Sequence, residues 1–587
     1  MFAPTAEKPA IAVRVSSPRT TPMYKIAISG VILLLGALEG WFKRTDFSTD
    51  AISYLDISRA IPAHDWKMVF NPVWSVGYPL LLAVIRPLFT QSADGEWLAI
   101  HVLNFAIFIG AWLAFLYLMR SFDSFAESRS PDEAATKHRF VFLAGASIFL
   151  SIELCVDSVS RVGPDLLVST FFFLGTAMVV RQLTKRSYRL ALLLGVVLGL
   201  GYWAKGIFLP LAATLLVVLT AALFFRKRSI GPAVLSAAIF AVIAAPYAAC
   251  LSWSFGHFTL GESGPLNYAF HVNYLPRWTN WQGEPGGLGT PIHPTLQLMK
   301  NPDLFAFGEP HRNTYPPFGN LAHWYQGYRH FWNAKNQAVG IGRNLVVLAQ
   351  IFIKQPIFYA VFVSVALLFF KTEDRRRWFS TVMHLWPFFL PVLVGVLLYV
   401  QVHLEDRYLG SFLASLCLLP FVAVLKTMPS HKVQRIILVV LGLGAVLNYA
   451  VVDRDVLTHL HGHYTYAQNP QWKLGLALER EGLKPGDGIG VVGGPNAACT
   501  WAYVAHLRVV AELGGKPYDQ HHPVAEDSEA DAAQFWRSSP ELRQKILDLF
   551  QQTGAAAVIA SARSAEMVTP QGWQQVPGTD TWIYRFH

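Results

Sequence analysis

Long apolar runs separated by short basic segments set the organisation of this chain. A helix needs about 20 apolar residues to cross roughly 30 Å of hydrocarbon. On that criterion about eleven spans are expected, near Tyr24–Trp41, Trp97–Met119, Phe140–Cys155, Leu166–Val180, Leu190–Ala204, Ile207–Phe225, Ala233–Cys250, Pro356–Phe370, Phe379–Val400, Tyr408–Leu425 and Ile436–Val452. Alternate connections are basic: Arg120, Arg129, Lys137 and Arg139, then Arg181, Lys185, Arg186 and Arg189, then Arg226, Lys227 and Arg228, then Lys371 with Arg375 to Arg377, then Lys426, Lys432 and Arg435. Short cytoplasmic loops are enriched in Lys and Arg, so these connections are expected inside. The stretch Leu190 to Phe225 has no long polar break, yet both its flanks are basic. That demands a hairpin turning at Lys205-Gly206, with Lys205 at the outer surface.

This parity makes residues 1–23 a cytoplasmic tail, 24–452 a membrane domain with outer loops 42–96 and 252–355, and 453–587 an extracytoplasmic domain. Within the first loop, Pro79 to Ile85 is apolar but too short to cross, so it reads as an interfacial or re-entrant helix. The second loop is polar and aromatic, with Trp253, Trp278, Trp281, Tyr315, Trp324 and Trp332 among its rings. Its glycines and prolines predict irregular structure ending in an amphipathic stretch from His323 to Gln337, a segment suited to act as a lid. The tail reads as a small α/β domain: strands at Ile489–Val492, Leu507–Val510 and Ala555–Ala560, helices at Asn496–His506 and Pro540–Gln552, and a closing hairpin of Trp573–Val576 with Thr581–Phe586.

Composition agrees with that division, since 53% hydrophobic with 15% charged residues is the balance of a membrane protein with a soluble part. A net charge of +10 would suggest nucleic acid in a soluble protein, but here the cations sit between spans and no nucleic-acid partner is expected. Cys155, Cys250 and Cys417 lie in or at the ends of apolar runs and leave Cys499 alone, so no structural disulfide is expected. The first run follows Lys8, Arg14, Arg19 and Lys25 and has no small-residue cleavage site behind it, as in a signal anchor.

Carboxylates are scarce, and three of them fall just past the first span, at Asp46, Asp50 and Asp56. If Asp50 begins a helix, Tyr54 lies one turn later on the same face, while Asp56 projects from another side. Asp50 and Tyr54 then share one cavity, although an Asp after Ser48-Thr49 serves equally as a helix N-cap. Other charges sit at the outer ends of spans: Arg161 and Asp165, Lys205, and Glu405-Asp406-Arg407. Any one of them alone is an interface anchor or a local ion pair. Together with Asp50 they place acids and bases at one depth on one side, the pattern of a polar cavity at the outer leaflet.

Two other motifs carry less. Gly488, Gly490 and Gly493 match the dinucleotide fingerprint with Glu512 near the ribose position, but the glycines precede or lie inside the strand instead of following it. The loop histidines and His461 with His463 lack ligand spacing, so no metal ligand is assigned, and a divalent ion is left open as a cofactor.

With these residues in view, the first 450 residues or so resemble the family 39 glycosyltransferases of the GT-C superfamily, which include protein O-mannosyltransferases and the lipid A aminoarabinose transferase. The resemblance is carried by Asp50 to Tyr54, His64-Asp65-Trp66, Asn71 to Leu80, Gly163-Pro164-Asp165, Ala204-Lys205-Gly206 and Asp406-Arg407-Tyr408, in that order. It implies a polytopic α-helical GT-C-like fold, a polyprenyl-phosphate sugar donor and catalysis outside the cytoplasm of a bacterial inner membrane. The family's acid pair is here Asp50 followed by Ala51, which leaves Asp50 as the single matching acid.

The resemblance also implies that Lys205 binds the lipid phosphate. The chemistry then assigns Asp50 as general base, Arg407 as second phosphate ligand, and Tyr54, Asp165 and Asp56 as substrate-binding residues, with inversion at the sugar carbon. The acceptor is a glycan, lipid or protein hydroxyl. A transporter or flippase of a lipid-linked saccharide is the alternative, and it calls for charges within the spans and repeated halves; here the spans are nearly free of central charge.

Overall fold

The computed structural model describes residues 22–44, 49–89, 93–123, 126, 128, 130–156, 158–278, 280–308, 313–372, 375–452, 469–493, 499–514, 528–561 and 571–586. The N-terminal tail, Thr45 to Ser48, His461 and His463, and Asn496 to Ala498 lie outside the described residues.

Helices occupy all eleven expected spans, and they are not equivalent. Seven among the described residues are long and apolar enough to cross a membrane: Met23–Phe42, Gly95–Ser121, Asp165–Thr184, Phe208–Phe225, Gly231–Phe255, Asp406–Leu425 and His431–Val451. Two more pass only as bent pairs, Ala334–Lys354 with Pro356–Lys371 and Arg375–His384 with Trp386–Val400, broken by 82° and 65°. Tyr188–Ala204 falls short at 17 residues. Pro131–Phe149 fails on composition, because its first half carries Asp132, Glu133, Lys137 and Arg139, and it runs on into a π turn at Leu150–Leu154. The chain is a multi-pass membrane protein, with seven to nine spans by this criterion where about eleven were expected.

The expected hairpin is present, with Tyr188–Ala204 and Phe208–Phe225 joined through Lys205. Apolar side chains gain nothing from leaving lipid, so such helices associate by close backbone approach. Gly195 and Gly199 do this against Gly231–Phe255: a Cβ at Gly195 would lie 2.6 Å from Ile239 Cβ, and one at Gly199 2.6 Å from Ile243 Cγ2.

The Asn71–Pro79 segment staples the first loop onto this hairpin. Asn71 Oδ1 accepts from the amides of Val73 and Trp74 at 2.9 and 3.1 Å, and its Nδ2 donates to the Gly319 carbonyl at 2.9 Å. Ser75 Oγ accepts from the Gly206 amide at 3.1 Å. Gly77 then opens the short helix Gly77–Ile85 against the hairpin backbone, where a Cβ would stand 2.7 Å from the Trp203 carbonyl oxygen and 2.8 Å from Ala204 Cα.

The polar end of the chain and the second loop together form one seven-stranded sheet, β1 (Leu296–Met299), β2 (Leu304–Ala306), β3 (Gly488–Val492), β4 (Arg508–Leu513), β5 (Ala555–Ala560), β6 (Trp573–Gln575) and β7 (Trp582–Arg585), in the order β1-β2-β4-β3-β5-β7-β6. β3 runs parallel to β4 and β5, and β6 and β7 form the expected antiparallel hairpin. The second loop corrects the sequence reading twice. Its Gly/Pro-rich part supplies β1 and β2, which pair onto β4, and its amphipathic helix is Ala334–Lys354. The segment expected to begin that helix is interrupted at Gly327, whose φ of 102° no helix accommodates.

Gly77→Ala drives a methyl group into unyielding backbone at the hairpin turn. It should lower stability by about 1–3 kcal/mol, the usual cost of overpacking, read as a reduced Tm of the purified protein in detergent. An unchanged Tm would mean that the first loop is not seated on the hairpin as described.

Candidate active site

Asp50 lies in the first turn of the Thr49–Ala60 helix, where the free amides and the helix dipole favour a carboxylate. Its Oδ2 accepts a hydrogen bond from Arg407 Nη2 at 2.7 Å. Arg407 sits in the single 3-10 turn Asp406–Leu409 that leads into the Gly410–Val422 helix. Its Nε donates to Glu405 Oε2 at 2.7 Å and its Nη2 also reaches the Tyr408 hydroxyl at 3.3 Å. Glu405 Oε1 faces His403 Nε2 at 3.0 Å, and His403 stacks on His271 with ring centroids 3.8 Å apart. Burial pushes the Glu405 carboxyl up, but the hydrogen bond from His403 and the charges of Arg407 and His403 hold it well below the usual carboxylate range.

Lys205 reaches the same cluster from the hairpin. Its Nζ bonds Asp165 Oδ1, the carboxylate that opens the Asp165–Thr184 helix. The same ammonium lies 4.2 Å from the centroid of the Tyr408 ring, and the Arg407 guanidinium lies 5.0 Å from that ring. Tyr408 in turn stacks on Tyr399 at 4.9 Å. Asp50, Arg407, Tyr408, Lys205 and Asp165 thus form one continuous polar cluster, half-open to solvent: the Asp50 side chain is 25% exposed and that of Lys205 20%. Arg161 closes its edge on Asp406 at 3.4 Å.

Tyr54, one turn after Asp50, packs edge-on against Trp74 and Tyr78 at 5.4 and 5.8 Å. Burial, then the charges of Asp165 and Asp50, keep its hydroxyl protonated against the opposing pull of Arg407. Its ring thus adjoins the cluster, with its hydroxyl in the field of Asp165, Asp50 and Arg407. The sequence therefore placed Asp50, Tyr54, Asp165, Lys205 and Arg407 together. It named Glu405 among the outer charges and Tyr408 in the motif with Arg407 but gave neither a role in the site, and it did not single out the His271–His403 stack, for which a lone histidine in each of two distant segments gives no signal.

Asp56 is not brought into this cluster. Its carboxylate accepts from the Thr314 amide at 2.8 Å and the Thr314 hydroxyl at 2.9 Å, and it is only 6% exposed. One turn further, Arg59 donates to Glu96 at 2.8 Å and covers the Tyr503 ring at 3.7 Å, while the Tyr503 hydroxyl donates to Glu96 at 2.6 Å. Arg86 completes the group by pairing with Glu96 and donating to Ser58 Oγ at 2.7 Å. The far end of the Asp50 helix is thereby clamped to the second loop and to the C-terminal domain. A helix fixed at its end by buried charge pairs holds its first turn in place as well.

The dinucleotide reading has no support in the sheet. Gly488 and Gly490 lie within β3, where a Cβ at Gly490 would stand 2.4 Å from Phe550, so glycine serves packing there. Glu512 is buried and accepts from the Tyr315 hydroxyl at 2.9 Å and from Asn280. Among the described residues no three His, Cys, Asp or Glu side chains converge as metal ligands.

Burial raises the Asp56 carboxyl to about 6, against the pull of Arg59 and the Thr314 bonds. A raised carboxyl holds its proton more tightly when folded, so its contribution to stability is complete below the unfolded value of 3.8 and is lost as pH rises through about 6. The stability of the wild type minus that of Asp56→Asn should therefore fall between those two values and stay level above them. Denaturant titrations across that range check the sign, and a difference that rises with pH would show that the carboxylate is favoured in its ionised form.

No family profile matches the chain, and neither does any curated protein. Solved structures do. ArnT from Cupriavidus metallidurans, in a crystal structure bound to undecaprenyl phosphate, superposes at a TM-score of 0.50 with 11% identity, over 96% of this chain and 98% of that one. The Archaeoglobus fulgidus oligosaccharyltransferase gives 0.45 and 11% over 92% of this chain and 69% of that one. The arabinosyltransferase EmbB from Mycobacterium smegmatis gives 0.33 and 13% over 76% and 43%. The match to ArnT extends through the membrane helices and the C-terminal sheet alike, and the resemblance read from the motifs between Asp50 and Tyr408 holds at the level of the fold: this chain has the fold of the GT-C glycosyltransferases.

Proposed function

We propose that the protein is an inverting glycosyltransferase that moves a sugar from a polyprenyl-phosphate donor to an acceptor hydroxyl on the extracytoplasmic side of the membrane. The observation that carries this reading is the meeting of Asp50 with Lys205 through Arg407 and Tyr408, in a chain of GT-C fold. The undecaprenyl phosphate in the ArnT structure supports a lipid phosphate as the donor's leaving group.

The chemistry needs one base and one cationic pocket. The acceptor oxygen attacks the anomeric carbon, its proton passes to Asp50, and the bond from that carbon to the phosphate oxygen breaks with its electron pair on the phosphate. Phosphate leaves without protonation, unlike the alcohol released in glycoside hydrolysis. Lys205 and Arg407 meet the charge that develops on it, in a site where low dielectric strengthens each contact. Direct displacement inverts the sugar carbon.

Both cations are paired with acids before the donor arrives, Lys205 with Asp165 and Arg407 with Asp50 and Glu405. A phosphate that draws Nη2 of Arg407 toward itself releases the Asp50 carboxylate, so the base is freed where the donor is bound. Glu405, on Nε of the same guanidinium, keeps Arg407 in place during that exchange.

Asp50→Asn should leave an inserted, folded protein whose turnover falls about 10²–10⁴-fold, the usual scale of general-base help. Near wild-type turnover would remove Asp50 from the mechanism. Lys205→Ala should raise the donor KM in proteoliposomes supplied with lipid-linked sugars from native membranes, and unchanged donor dependence would refute its phosphate role. The sugar and acceptor follow from mass spectrometry of surface glycans and lipid-linked sugars in cells with and without the gene.

A further inference from the structure

The Phe208–Phe225 helix carries a cationic group at each end: Lys205 precedes it and Arg226 follows it. Its 18 residues separate the two ends by about 27 Å, close to the thickness of the hydrocarbon core. The Arg226 end has no part in the cluster around Asp50, yet it has the elements of a site of its own.

An open apolar groove of about 410 Å³ lies there, lined by Leu216, Thr220, Phe224, Phe225 and Ile230 among others, with both phenylalanines exposed. Directly beside it Arg226, Lys227 and Arg228 are consecutive and exposed. Arg226 and Arg228 both donate to the Leu183 carbonyl, at 3.0 and 2.7 Å, and this docks their segment against the one that carries Lys185, Arg186 and Arg189.

No acid occurs from Arg181 to Arg189, nor from Phe208 to Phe255. A bias of Lys and Arg toward one side of the membrane accounts for cations in these segments. It does not account for two guanidinium groups converging on one carbonyl in the segment that joins Phe225 to Ile230, both of which line the groove. Basic pockets between spans hold anionic lipid head groups, and guanidinium suits phosphate oxygens in particular.

We propose that the Arg226 end of this helix is a binding site for an anionic glycerophospholipid, with the phosphate on Arg226 and Arg228 and an acyl chain along the open groove between Leu216 and Ile230. The site lies in the leaflet opposite to Lys205, and it rests on the membrane reading of the helix, not on the transferase reading of Asp50. A polyprenyl phosphate bound at Lys205 therefore occupies a different place.

Native mass spectrometry of the full-length protein in detergent tests this, with phosphatidylglycerol and phosphatidylcholine of matched chains as probes. The wild type should prefer phosphatidylglycerol by on the order of tenfold, as expected of two cations at a charged lipid. Arg226→Gln with Arg228→Gln should abolish the preference, Arg226→Lys with Arg228→Lys should keep most of it, and Thr220→Trp should abolish it by obstructing the groove. Should Thr220→Trp fail to fold, the two charge variants decide alone. A preference that survives the Gln pair, or a wild type without one, overturns the site. Displacement of the phosphatidylglycerol by undecaprenyl phosphate added at equal concentration also overturns it, because the groove would then belong to a polyprenyl chain. Loss of transfer activity in Asp50→Asn has no bearing on any of these outcomes.

Discussion

A half-buried guanidinium needs anions around it, and the way Arg407 obtains them organises the molecule. It draws in Asp50 from a helix 357 positions earlier in the chain and Glu405 from its own turn. In a medium of reduced dielectric an unpaired charge costs several kcal/mol, so a guanidinium with 12% of its side chain exposed locks the Asp50 helix to its own turn. The Tyr408 ring then carries that arrangement across to Lys205 on the hairpin. The cluster is thus a consequence of charge placed at the ends of spans, where each side chain has few partners other than one another.

The rest of the fold serves to keep those ends together. Asn71, Ser75 and Gly77 seat the first loop against the hairpin turn, which places the Asp50 helix beside Lys205. At its other end that helix is held by Thr314 and by the Arg59–Glu96–Tyr503 group. The C-terminal domain, far from being an appendage, receives two strands from the second loop into its sheet and returns one tyrosine, from a short helix, to the helix of the candidate base. This gives the domain a structural part in the site without any residue of it in the cluster.

The membrane helices were legible because apolar runs interrupted by basic segments have few other solutions in a bilayer. The hairpin at Lys205 was legible for the same reason: two basic flanks force an even number of crossings. Once Asp50, Asp165, Lys205 and Arg407 were assigned to one side, their convergence was a matter of depth, and the structure brings them together. The pairing of Arg407 with Asp50 was not legible, because nothing local encodes a contact between residues so far apart. Asp56 was misplaced by proximity in sequence, although helical phase already turned it away from Asp50. The strands β1 and β2 were hidden by their length, four and three residues, in a Gly/Pro-rich segment whose pairing partner, β4, lies some two hundred residues later.

The central claim is spatial, that Asp50 and Lys205 open onto one cavity that receives a lipid phosphate, and a cryo-EM reconstruction of the full-length protein with undecaprenyl phosphate tests it most directly. The account predicts phosphate density within hydrogen-bond distance of Lys205 Nζ and Arg407, with the Asp50 carboxylate released from Arg407 and facing the same space. Phosphate density away from Lys205, or side chains of Asp50 and Lys205 that open onto separate surfaces, would contradict it.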